Sequence, residues 1–81
     1  MTARVYVSLK KTVLDPQGQT IRASLASRGY GDIREVRQGK VFEIEVADGA
    51  DAAMAKKHVD EIAHEILANP VIEEYRVEWT A

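Results

Sequence analysis

Polar and apolar residues alternate most regularly in the middle of the chain. After Gly39, Phe42, Ile44 and Val46 share one parity while Glu43 and Glu45 take the other, the period of a strand with one buried face. Gly39, flanked by Gln38 and Lys40 with Ile33 and Val36 upstream, reads as the tight turn of a central β-hairpin, because glycine reaches positive φ without steric cost. Arg4 to Leu9 alternates in the same way, with Val5, Val7 and Leu9 facing inward. At the other end, Val71, Tyr75, Val77 and Trp79 share a parity against Ile72, Glu74, Arg76 and Glu78, with Glu73 interrupting the apolar row near its start.

Between these strands the spacing becomes helical. Asp15 and Pro16 form a start signal, an N-cap carboxylate followed by a residue with no N–H to leave unpaired. Ile21 and Leu25 then face inward, Gly18 weakens the first turn unless close packing requires it, and Gly29 supplies a left-handed stop. The second helix follows a cap at Asp48 or Asp51 and carries Ala55, Val59, Ile62, Ala63, Ile66 and Leu67 on its apolar face. Pro70 closes it, since proline excludes Asn69 from the helical region. The order strand, helix, two-strand hairpin, helix, strand predicts one α+β domain over residues 1–81. It is a ferredoxin-like β-α-β-β-α-β arrangement with both helices on one face of an antiparallel sheet. The other face should show Tyr6, Val41 and Ile72 among charges, a surface suited to self-association. A long hairpin could also pair across a neighbouring copy, so strand exchange in the oligomer stays open.

Size and composition narrow the chemistry. A domain of 81 residues buries only about 60% of its unfolded surface, which favours oligomerisation. There is no cysteine, so disulfides, thiolate metal sites and cysteine nucleophiles are excluded. No apolar run approaches the roughly 20 residues of a membrane span, and the expected location is cytoplasmic. The net charge of −2 conceals a polarity, +5 up to Lys40 and −7 from Val41 onward, which suits charged docking partners or separately solvated faces.

No catalytic constellation emerges. His58 and His64 lie six residues apart on one helix, about 240° around its axis, too far to share a metal. Glu43, Glu45, Asp60, Glu61 and Glu65 fall on solvated parities. Gly29 and Gly31 lack the dinucleotide spacing and no phosphate loop is present. Phe42 points to the core, leaving Tyr6 as the one aromatic on the open face, which argues against an RNA-recognition sheet and nucleic-acid binding. The residues Arg34, Arg37 and Lys40 form a basic tip able to meet an anionic ligand or an acidic partner.

Five strings in order resemble one family: Val7-Ser8-Leu9-Lys10, Val13-Leu14-Asp15-Pro16-Gln17-Gly18, Arg28-Gly29-Tyr30, Val36-Arg37-Gln38-Gly39-Lys40 and Leu67-Ala68-Asn69-Pro70-Val71-Ile72-Glu73. Together they are similar to the PurS subunits of phosphoribosylformylglycinamidine (FGAM) synthase. The resemblance implies an accessory subunit of the fourth step of de novo purine biosynthesis, with no catalytic residues, cofactor or metal of its own. The glutaminase subunit PurQ would release ammonia from glutamine. The synthetase subunit PurL would use ATP and Mg²⁺, and a homodimer or higher oligomer of this chain would bridge the two and support ammonia transfer. It places interface roles on Arg37, Gly39 and Lys40 at the hairpin and on Asn69, Pro70 and Glu73 at the helix exit. A reading from another class is an ACT-like regulatory domain, also ferredoxin-like and dimeric. That reading requires a small effector, so calorimetric titration with amino acids or nucleotides should give heat.

Overall fold

The computed structural model describes residues 1–80. Strand β1 (Thr2–Leu9) lies at the centre of an antiparallel sheet of order β2-β1-β3, with β2 (Gly39–Glu45) on one side and β3 (Glu73–Thr80) on the other. Helix α1 (Pro16–Ser27) joins β1 to the loop preceding β2, and α2 (Ala52–Ile62) lies between β2 and β3. This is an α+β, ferredoxin-like arrangement. The alternation read from sequence sets the registers: Val5 pairs with Phe42 and Val77, and Val7 with Lys40 and Tyr75.

One core forms on the inward face of β1. Ala3, Val5, Val7, Val59, Ala63 and Ala68 are buried together, with Phe42, Ile44, Leu67, Tyr75, Val77 and Trp79 packed around them. A fully buried valine contributes about 1.5–3 kcal/mol, so Val5 and Val7, the largest side chains wholly removed from solvent, anchor the sheet to α2. Helix α1 supplies none of these residues. Its expected inward residues Ile21 and Leu25 are 41% exposed and half-buried respectively.

The central hairpin is corrected in two respects. Residues 31–38 form no strand, so β2 begins at Gly39 and its outer edge carries no neighbour among the described residues. Ile33 and Val36 stand three apart, a spacing that cannot place both on one face of a strand. Gly39 itself is not in the left-handed region, which among the described residues holds only Gly29 and Gly49. It pairs with Ser8, and a Cβ there would lie 2.8 Å from the Val7 carbonyl oxygen. Glycine therefore permits close strand approach rather than a turn.

The helix ends follow their sequence signals. The Asp15 carboxylate accepts the Gly18 N–H at 3.0 Å, and Asp51 accepts the Ala53 N–H at 3.0 Å. After α1, Tyr30 N–H donates to Leu25 O and Gly29 N–H to Ala26 O, a Schellman closure that requires the positive φ of Gly29. After Ile62 the helix widens into a π-turn over Ala63–Leu67, closed by Ala68 N–H donating to Ala63 O at 2.9 Å. The wider turn shifts the helical phase. Ala63 and Ala68 are thereby buried, and Ile66, expected on the apolar face, is 74% exposed.

The open sheet face carries Tyr6 and Val41 among charges. Arg4 pairs with Glu43 at 3.1 Å, and the Arg76 guanidinium lies 4.2 Å above the Tyr6 ring. Val41 is half exposed beside them, while Ile72 precedes β3 in a turn.

Candidate functional site

Strand pairing brings most of the predicted interface residues to one end of the sheet. Gly39 and Lys40 open β2 and Glu73 opens β3, so they flank the C-terminal end of the central strand from either side. Lys40 Nζ lies 3.8 Å from Glu73 Oε2, joining the two outer strands across β1, and 5.8 Å from the centre of the Phe42 ring. The other Glu73 oxygen accepts the Asn69 N–H at 2.7 Å. Asn69 in turn accepts the Val71 N–H through its side chain at 3.1 Å, the Asx turn that residue type favours. Pro70 presents its carbonyl to Lys10 Nζ at 2.9 Å. Sixty residues of sequence are thus closed into one charged, hydrogen-bonded corner. Glu73, the apparent flaw in the apolar row, is its hub.

Between these strand ends and the start of α1 lies an open cleft of about 240 Å³, lined by Val7, Ser8, Leu9, Asp15, Gln17, Gln38, Gly39, Lys40 and Glu73. Its innermost polar group is Asp15, only 5% exposed. The carboxylate that caps α1 also accepts the Gln38 N–H at 2.7 Å, so one side chain fixes both the start of the helix and the entry to β2. Donation from Gly18 and then Gln38, aided by the charge of Arg37, holds its pKa below the ordinary 3.8. Gly18 completes the joint: a Cβ at this position would collide with the Val36 carbonyl oxygen.

Arg37 points away from Lys40. Its guanidinium donates to Lys10 O at 3.1 Å and Val13 O at 2.9 Å and pairs with Glu35 at 3.3 Å. It lines a second cleft of about 490 Å³, with Leu14, Asp15, Gln19, Arg22, Arg34, Glu35 and Val36. Five of the six expected interface residues therefore cluster, and the sixth ties the loop to the β1–α1 connection. Sequence reasoning gave Asp15 only its capping role and overlooked Lys10 and Arg22. Their contacts cross 12 to 60 residues of chain and leave no local spacing signal.

No three His, Asp or Glu side chains converge as a metal site among the described residues. No helix is long and apolar enough to cross a membrane. The fold and this corner thus define a small ferredoxin-like module whose conspicuous chemistry is charged and hydrogen-bonding surface. Residues 2–81 match the family described as PurS: Phosphoribosylformylglycinamidine (FGAM) synthase. The chain is 44% identical to the PurS subunit of Bacillus subtilis over 77 residues, covering 93% of this chain and 87% of that one. It also resembles the crystal structure of Methanocaldococcus jannaschii PurS, with a TM-score of 0.81 and 35% identity over 95% of this chain and 92% of that one. A chain in the structure of PurLQS from Thermotoga maritima matches with a TM-score of 0.84 and 31% identity, over 95% and 93% of the two chains. This chain belongs to the PurS family of FGAM synthase subunits.

Proposed function

We propose that this chain is the accessory subunit of an FGAM synthase, acting in purine biosynthesis by joining the PurL synthetase to the PurQ glutaminase and supporting ammonia transfer between them. The near full-length likeness to a chain of the PurLQS assembly carries the reading. In this assignment ATP, Mg²⁺ and glutamine are used by the partner subunits, and the chain works as a homodimer or higher homo-oligomer in the cytoplasm. The corner formed by Gly39, Lys40, Asn69, Pro70 and Glu73 is the proposed partner contact, because it is solvent-facing yet held in one geometry by the bonds described above. An interface held rigid before binding loses less entropy on association. Arg37 supports this surface from behind by fixing the loop that leads into β2.

The test is reconstitution of glutamine-dependent FGAM formation from PurL and PurQ with and without this chain. Activity should depend on it, while synthetase activity supplied with free ammonia should persist in its absence. Equal glutamine-dependent rates with and without the chain would overturn the assignment.

A further inference from the structure

The second cleft, between α1 and residues 34–37, is not absorbed by the corner described above. It is lined by three arginines and two acids, and the acids are already engaged. Asp15 is buried and accepts two backbone N–H groups, and Glu35 pairs with Arg37. Arg37 is committed in turn to the Lys10 and Val13 carbonyls. Arg22 and Arg34 remain on the rim, both exposed, with no carboxylate within ion-pair distance among the described residues. They are not independent of one another: Arg22 Nε donates to the Arg34 carbonyl, which fixes helix and loop in register while leaving the two terminal nitrogens of Arg22 without a partner among the described residues. Beside them Leu14 is 63% exposed.

We infer that this cleft is a docking site for an acidic segment of a partner subunit, its carboxylates meeting Arg22 and Arg34 and one apolar side chain covering Leu14. Guanidinium groups bind carboxylates through paired parallel hydrogen bonds, and arginine is enriched at the energetic centres of protein interfaces. A free phosphate would satisfy the arginines but leave Leu14 in water. The surface is separate from the Lys40–Glu73 corner, so a partner gripping both would hold the chain at either end of the segment from Arg34 to Lys40. This inference rests on the reading of the chain as an assembly subunit.

The experiment measures binding of the intact chain to PurL and PurQ, separately and together, at low and at physiological salt. Comparison variants are Arg22→Glu with Arg34→Glu, the milder Arg22→Gln with Arg34→Gln, and Lys56→Glu with Lys57→Glu on the exposed side of α2 as a charge-matched control. Binding should weaken by at least about tenfold in the glutamate pair, less in the glutamine pair and not in the control, with a shallower salt dependence in both arginine variants. Light scattering should show the oligomeric state unchanged in the glutamine pair, and thermal unfolding a folded chain whose midpoint falls only by the loss of the bond from Arg22 Nε to the Arg34 carbonyl. Wild-type affinity in both arginine variants would overturn the inference, as would altered oligomerisation, which would assign the cleft to a second copy of this chain. Saturable binding of inorganic phosphate lost in the variants, without loss of partner binding, would overturn it too. Failure of the wild-type chain to bind either subunit would instead refute the assembly reading itself.

Discussion

Replacing Gly18 by alanine tests whether the joint between α1 and β2 is as tight as the structure shows. In an isolated helix the change would be favourable, since glycine costs about 0.5–1 kcal/mol relative to alanine in a helix interior. Here the added methyl would collide with the Val36 carbonyl oxygen and stand 2.9 Å from Asp15 Oδ2. Neither neighbour can turn aside. Val36 offers backbone, and the carboxylate is fixed by the Gly18 and Gln38 N–H groups. Relief requires the loop before β2 to move away from the helix, stretching the 2.7 Å bond from Gln38. Overpacking of this kind costs about 1–3 kcal/mol, or more against rigid backbone, so after the helical gain a net loss of roughly 1–2 kcal/mol is expected. For a domain of this size that lowers the melting temperature by roughly 5–15 °C. The assay is thermal unfolding by circular dichroism at fixed protomer concentration, because oligomerisation makes the midpoint concentration-dependent. Gly31→Ala is the internal control: nothing lies within 4 Å of its Cβ position and its φ is not left-handed, so a change within about 0.5 kcal/mol is expected. A Gly18→Ala midpoint at or above that of the wild type would refute the packed joint and, with it, the rigid placement of Gly39 and Lys40.

Two further predictions separate support from contact. Arg37→Ala should destabilise the chain by about 1–3 kcal/mol, because it strips the Lys10 and Val13 carbonyls of a charged donor. Lys40→Ala should cost only about 1 kcal/mol, losing an ion pair whose lysine end is exposed and a contact over the Phe42 ring, yet weaken partner binding; chemical denaturation alongside pull-down with PurL and PurQ checks both. Asp15→Asn should flatten the acid limb of stability. The folded carboxylate titrates below its ordinary 3.8, so the unfolded chain binds more protons and the contribution, present above about pH 4, is lost as pH falls through the folded pKa. Denaturation midpoints followed downward from about pH 5 should fall more steeply for the wild type than for Asp15→Asn, and parallel curves would refute the assignment.

What could be read from the chain follows the range of the interactions concerned. Alternation in Val5–Val7, Phe42–Ile44 and Tyr75–Trp79 is imposed by the pleat of a single strand, and the caps at Asp15 and Asp51 act within three residues. Both kinds of signal were legible. The phase slip at Ala63–Leu67 was not, because a π-turn keeps helical residue types while moving Ile66 off the buried face. The hairpin fails for a different reason. A glycine chosen for positive φ and a glycine chosen because the neighbouring carbonyl is too near look identical in sequence. Only the register of Gly39 against Ser8, with Val7 O inside the reach of any Cβ, distinguishes them. The same holds for the string Val36-Arg37-Gln38-Gly39-Lys40, which resembles the family as one unit yet divides in space. Val36, Arg37 and Gln38 turn inward to Gly18, Lys10, Val13 and Asp15, while Lys40 faces Glu73 and solvent. A run of residues shared with a family can therefore mark a joint of the fold and a surface for a partner side by side. Side-chain partners, more than order in the chain, tell the two apart.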